Sequence, residues 1–183
     1  MTWTGGLTGL TPTNVAAGSY NYSISDANGC PATGTVTITQ PTSAFNVAVA
    51  QPNVKCFGGS TGSITLTLSG GTTPYGAVTW TGGLTGLTPT NVAAGSYTYS
   101  VADANGCPQT GTVTITHPAA AFNVTVAQTN VKCFGGSTGS ITLTLSGGTT
   151  PYGAVTWTGG LTGLTPTNVA AGSYTYNIAD ANG

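Results

Sequence analysis

The chain has no glutamate and no arginine. Its only side chains of ordinary charge are Asp26, Asp103, Asp180, Lys55 and Lys132, and the formal net charge is −1. Asp, Glu, Lys and Arg together make up 3% of the residues, against roughly a quarter in a typical globular domain. With no basic stripe to neutralise phosphates, electrostatic binding of nucleic acid is excluded. The polybasic route to an anionic membrane is excluded with it. No apolar run approaches the roughly 18–20 residues of a membrane-spanning helix, so no membrane insertion is expected in this segment. Paired CxxC motifs and clustered Cys/His ligands are also missing, which argues against a structural metal. No stretch carries an apolar stripe of 3.6-residue period and helical length, so helices are not expected.

What fills the chain instead is hydroxyls and a repeat. Threonine is a fifth of the residues, and 39% of the chain is hydrophobic. So much Val, Ile, Leu and aromatic content is not the composition of disorder. Trp3, Trp80 and Trp157 follow one another at intervals of 77 residues, and everything around them repeats. Residues 2–78 recur as 79–155, and a third copy opens at Thr156 and reaches Gly183. The two full periods differ only at Asn21/Thr98, Ile24/Val101, Ser25/Ala102, Ala32/Gln109, Gln40/His117, Thr42/Ala119, Ser43/Ala120, Ala48/Thr125 and Pro52/Thr129. A period of this size marks an array of small folded units. Near-identical copies argue for a task done by length and multiplicity, whereas an active site is normally needed once.

One unit reads as strands throughout. Apolar and polar residues alternate in Ile64–Leu68, Val78–Thr81, Tyr97–Val101, Val113–Thr116 and Phe122–Val126, the pattern of half-buried strands. The inward set is Phe45, Val47, Val49, Ile64, Leu66, Leu68, Val78, Trp80, Tyr97, Tyr99, Val101, Val113 and Ile115. Differences between copies support the assignment, because Asn21/Thr98 and Ser25/Ala102 vary outward while inward Ile24 changes only to Val101. Turns are expected at Ser69–Pro74, at Ala93-Ala94-Gly95 and at Asp103-Ala104-Asn105-Gly106. The last contains Asn-Gly, for which a two-residue hairpin with both central residues at φ > 0 is expected. Strands at this spacing suggest a β-sandwich or barrel.

The complete unit is expected over residues 44–118. Residues 1–41 supply the later strands of a preceding unit, and 119–183 a unit without its last strand. Met1 stands where Val78 and Val155 stand, and the pattern calls for a cysteine after Gly183, so a window on a longer array is expected. Two cysteines per small, charge-poor unit suggest disulfides in an oxidising, extracellular setting. Two pairings are open: Cys56 with Cys107 inside one unit, or Cys30 with Cys56 and Cys107 with Cys133 between neighbours. The first is favoured, and it would bring Lys55 and Asp103 together as an ion pair.

Five submotifs recur in fixed order: Cys56–Ile64 (CFGGSTGSI), Ser69–Tyr75 (SGGTTPY), Trp80, Ala94–Tyr97 (AGSY) and Asp103–Cys107 (DANGC). Together they resemble the SprB-type repeat of very large surface adhesins of gliding Bacteroidota. The resemblance spans the whole period. It implies tandem Ig-like or PKD-like antiparallel β-sandwiches of 77 residues, secretion to the cell surface, and a role in adhesion or motility filaments.

Sharper readings of single residues give way to plainer ones. Trp80 could stack on a sugar, but a strand tryptophan in a sandwich is more often core. His117 is replaced by Gln40 one period earlier, and no nucleophile sits beside it in a recognisable motif, so catalysis is not expected. Asp103 offers one carboxylate where calcium wants about six to eight oxygens. The Thr-x-Thr runs at Thr112–Thr116 and Thr65–Thr67 suggest an ice-binding face, yet a 77-residue period fits such a face poorly. A Lys55 isopeptide crosslink would need a buried acid beside the pair. The expected role is a non-enzymatic structural array, without cofactor, whose partners are neighbouring repeats and further copies of itself. Binding of a surface polysaccharide by each repeat is the alternative.

Overall fold

A computed structural model describes residues 1–183. The chain is all-β, as expected, apart from single 3₁₀ turns at Thr4–Gly6 and Thr158–Gly160. No helix is long and apolar enough to cross a membrane. The first copy contributes β1 (Thr2–Trp3), β2 (Gly18–Ser25) and β3 (Pro31–Ile38), one antiparallel sheet in that order. The middle copy contributes β4 (Asn46–Ala50), β5 (Gly62–Ser63), β6 (Thr65–Ser69), β7 (Thr79–Trp80), β8 (Thr90–Val92), β9 (Gly95–Ala102) and β10 (Pro108–Ile115). The last copy contributes β11 (Asn123–Thr129), β12 (Gly139–Ser146), β13 (Thr156–Trp157), β14 (Thr167–Val169) and β15 (Tyr176–Asn177).

Each complete unit is two antiparallel layers. In one, β4 pairs β6, and β5 pairs β8. Their equivalents join into a single sheet, β11-β12-β14, in the last copy. In the other layer, β9 lies between β7 and β10. Between the layers sits a core of Phe45, Val54, Ile64, Leu66, Val92, Tyr99, Val101, Val113 and Ile115. All of it falls within residues 44–118. The alternation of Thr with Val, Ile and Tyr puts hydroxyls in water and branched or aromatic side chains inside, as period-2 strands require.

The core differs from the expected set in three ways. Trp80 and Tyr97 are half-buried at its margin, with Val47, Leu68 and Val78, instead of inside it. Val49 is exposed although it continues the alternation of β4 and pairs with buried Leu66, and its equivalent Val126 is exposed as well. Val54 and Val92 are buried although no alternating run contains them. Val54 reaches the core from a loop that folds over the end of the sandwich, its amide bonded to the Thr116 carbonyl at 2.9 Å. Val92 ends a strand of three residues, Thr90–Val92, whose middle residue Asn91 has φ 57°.

The unit has two ends. At the first, where the chain enters, lie Ala44, the Gly70–Tyr75 turn and the Asp103–Cys107 hairpin. Gly71 N–H donates to the Ser43 carbonyl at 2.9 Å and Ala104 N–H to that of Thr72 at 2.9 Å. At the second, where the chain leaves, lie the 52–62 loop, Val92 and Thr116. Ser63 N–H donates to the Pro52 carbonyl at 3.2 Å, and Thr116 N–H to Asn53 Oδ1 at 3.0 Å. We call these the entry pole and the exit pole.

Candidate functional site

The entry pole is organised by the unit's only acid. Asp103 is buried, and its carboxylate accepts from three backbone amides. Oδ1 takes Asn105 N–H at 3.0 Å and Cys107 N–H at 2.9 Å, while Oδ2 takes Thr72 N–H at 2.9 Å. Bonds to the charged form favour it. The Cys107 and Thr72 amides therefore hold the Asp103 carboxyl below its ordinary value, against the opposing effect of burial. The same negative charge pushes the Cys107 thiol up. Asp180 repeats the arrangement with Asn182 N–H at 2.9 Å and Thr149 N–H at 2.8 Å. In this hairpin only Gly106 takes a positive φ, 79°. Asn105 is not left-handed, so the expected turn with two positive-φ residues is replaced by one closed by Gly106 N–H to the Asp103 carbonyl at 2.9 Å. The Asp103 side chain, by binding the amides of residues 105 and 107, makes that form the better one.

Gly71 is forced by this packing. Its φ is 61°, and a Cβ there would lie 2.7 Å from Asp103 Oδ2 and 2.8 Å from Phe45 Cβ. Gly111 is required for another reason. It faces Tyr99 across the β9–β10 ladder, and a Cβ would fall 2.6 Å from the tyrosine oxygen. The ring lies in the slot that the missing side chain leaves.

Tyr99 also carries Trp80, with ring centroids 5.6 Å apart at 61°. Trp80 Nε1–H donates to the Gly86 carbonyl at 2.9 Å. Trp3 and Trp157 make the same bonds, to Gly9 at 3.0 Å and to Gly163 at 2.9 Å. The indole thus spends its polar atom on its own loop and one face on tyrosine, which leaves a half-exposed ring acting as a packing element.

The outward face of β7, β9 and β10 bears hydroxyls alone along two rows. Thr79, Ser100 and Thr110 form one row, and Thr81, Thr98 and Thr112 the next. Thr81 Oγ1 accepts the Thr98 amide at 2.9 Å, so part of the face is tied into its own sheet. In the first copy the equivalent face carries Thr2, Ser23 and Thr33, then Thr4, Asn21 and Thr35.

The exit pole carries Lys55, Cys56 and Phe57. Phe57 meets the His117 ring edge-on, with centroids 4.8 Å apart. His117 Nδ1 lies 2.6 Å from the Pro118 carbonyl. The histidine is a contact of the passage into the next copy. Across that passage Asn182 Nδ2–H donates to the Lys55 carbonyl at 2.9 Å, tying the third copy's entry pole to the second copy's exit pole.

The residues expected to form a site separate accordingly. Ile64, Leu66, Tyr99 and Val113 are buried together. Lys55 and Asp103 lie at opposite poles, so the expected ion pair does not form. All four cysteines are free and exposed. Cys107 opens β10 at the entry pole, and Cys56 lies in the loop that covers its far end. Eight residues of strand between them span roughly 26 Å at about 3.3 Å each, while a disulfide needs Cα atoms about 4.4–6.8 Å apart. Cys56–Cys107 is therefore not bridged. Cys30 with Cys56, and Cys107 with Cys133, each join an entry pole to the exit pole of the following copy, which is farther still. The two poles themselves could have been suspected from sequence, since each cysteine sits in a Gly-rich loop at one end of a strand run. Which end each loop occupies depends on the layer pairing.

The family model of the SprB repeat matches residues 48–76 and 125–153, the same stretch of two successive copies. Each match runs from β4 or β11 through the exit-pole loop to the turn that meets the acid. A comparison with curated proteins finds no match.

Proposed function

We propose that these repeats build the stalk or filament of a very large secreted cell-surface adhesin, acting in surface adhesion and gliding motility. SprB repeats are associated with cell-surface, adhesin-like proteins, which supports an extracellular setting. The observation that carries the structural reading is the junction between Asn182 and the Lys55 carbonyl. It joins unlike poles of successive copies, the kind of head-to-tail contact from which open filaments are built. The role needs no enzyme and no cofactor: the unit's one acid is engaged by three backbone amides and its tryptophan by its own loop.

Side-by-side packing of stalks, with further copies of this chain as partners, fits the same surface. Low net charge removes the repulsion that keeps molecules apart, and β4 and β10 leave edges open to pairing. The alternative reading, that each repeat binds a surface polysaccharide, draws support from the Thr79/Ser100/Thr110 and Thr81/Thr98/Thr112 rows, which offer hydroxyls in repeated order.

Arrays of two, four and eight units separate these readings. A maximum dimension that grows linearly in small-angle scattering, with no binding on a glycan panel, is expected of a stalk. Collapse to a globule of constant aspect ratio contradicts it. Binding that rises with unit number and is lost in Thr98→Val/Thr112→Val favours the polysaccharide reading.

A further inference from the structure

The contact that ties the third copy to the second brings together the two loops that carry a cysteine in the complete unit. On the exit pole, Cys56 is the residue after Lys55, whose carbonyl receives the Asn182 amide at 2.9 Å. On the entry pole, the hairpin is Asp180-Ala181-Asn182-Gly183, and its counterpart in the complete unit continues into Cys107. A third unit completed on the same pattern therefore has its hairpin cysteine directly after Gly183. One residue on one side and two on the other separate the hydrogen-bonded pair from the two sulfurs. Asp180 fixes the hairpin as Asp103 does, so the cysteine position is held and not trailing.

We propose that successive units are stapled by a disulfide between the loop cysteine of one exit pole and the hairpin cysteine of the next entry pole. The spacing is one repeat period longer than that of Cys56 and Cys107, so none of the four cysteines of this chain has its partner within residues 1–183. Formation breaks two S–H bonds and makes one S–S bond. The two electrons and the two protons pass to an oxidising disulfide, such as that of a thiol–disulfide oxidoreductase or oxidised glutathione, which leaves as two thiols. The staple needs the end-to-end junction but not the adhesive role, and along an array it would give one covalent link at every joint, in addition to the chain itself. A pulling force would then reach each unit through two points at each pole.

Two chains test this under dilute oxidised glutathione. One extends the protein after Gly183 with a copy of residues 107–118. The other keeps the present length and carries Gly183→Cys, which leaves Asn182 and its bond to Lys55 in place, with Cys30, Cys107 and Cys133 replaced by serine. In the extended chain the expected result is a peptide linking Cys56 to the appended cysteine, while Cys133 still alkylates fully. In the second chain Cys56 loses alkylation on oxidation, whereas Asn105→Cys in place of Gly183→Cys leaves it reactive. Circular dichroism confirms the strand signature in each case. The extension alters no existing residue, so it stands if a substituted chain fails to fold. Cys56 alkylating as Cys133 does in the extended chain, or a Cys56–Cys107 peptide, overturns the proposal, and neither outcome touches the scattering result for the stalk.

Discussion

Val113 and Ile115 are 2% and 1% exposed, whereas Val36 and Ile38, the same residues one period earlier, are 40% and 38% exposed. Local sequence and pairing do not explain the contrast. β2 and β3 pair over eight residues in the same register as β9 and β10. What differs is the layer opposite, since residues 1–41 contain no counterpart of β4, β5 and β6, and Thr13–Val15, the residues of β8 one period earlier, form no strand. The converse holds at the other end. In residues 119–183 the layer β11-β12-β14 keeps Leu143 and Val169 buried, but β15 pairs over only two residues where β9 pairs over eight. A hairpin of this sequence forms on local signals, while its burial is supplied by a second layer from the same period. The module is thus the pair of layers, and its limits are offset from the tryptophan-to-tryptophan repeat.

Truncations at equivalent positions should break that symmetry most. Ile115→Ala is expected to cost about 2–5 kcal/mol, the range for emptying a closed core. Ile38→Ala should cost less than about 1 kcal/mol, as for other exposed sites. Two-site denaturant curves on single-substituted chains measure both, and equal losses would deny the second layer its role.

Gly71→Ala comes next. It combines a left-handed backbone with contacts too short at Asp103 and Phe45, and overpacking of this kind costs about 1–3 kcal/mol. Thermal melts check it, and an unchanged midpoint would mean that the entry pole yields freely. Trp80→Ala should cost about 2 kcal/mol, below the range of about 3–5 for a fully buried tryptophan, because the ring is half-exposed. A loss near 5 kcal/mol would place the ring inside the core.

The mildest effect is expected from acid. The folded Asp103 carboxyl titrates below its ordinary 3.8. Its contribution is therefore complete above that value and is lost as pH falls through the lower folded one. The melting midpoint of the complete unit should fall at pH 2–3 relative to pH 5, and Asp103→Asn should flatten that fall. An unaltered acid response in the variant would remove Asp103 as its source.

Much of this was legible in the residues themselves. Alternation identified Ile64, Leu66, Val113 and Ile115 as core because a strand shows its two faces in period 2. The Asp103–Gly106 turn announced itself by composition, though its form turned on a side-chain oxygen bonding amides two and four residues on. Val54 and Val92 escaped because they enter the core from a loop and a three-residue strand, too short to display a period. The cysteine pairings expected from sequence failed for a physical reason. Loop length sets chain entropy, but the poles on which Cys56 and Cys107 lie follow from which strands pair, and no local pattern encodes that.

Native-state hydrogen exchange on β3 and β10 in the one chain tests the two-layer module most directly. The strands differ only at Ala32/Gln109, so their peptides are resolved by mass while intrinsic exchange rates stay nearly equal. The account predicts that Val113 and Ile115 amides exchange only on global unfolding of the unit, with Val36 and Ile38 amides exchanging faster by local opening. Equal protection of the two strands would contradict it.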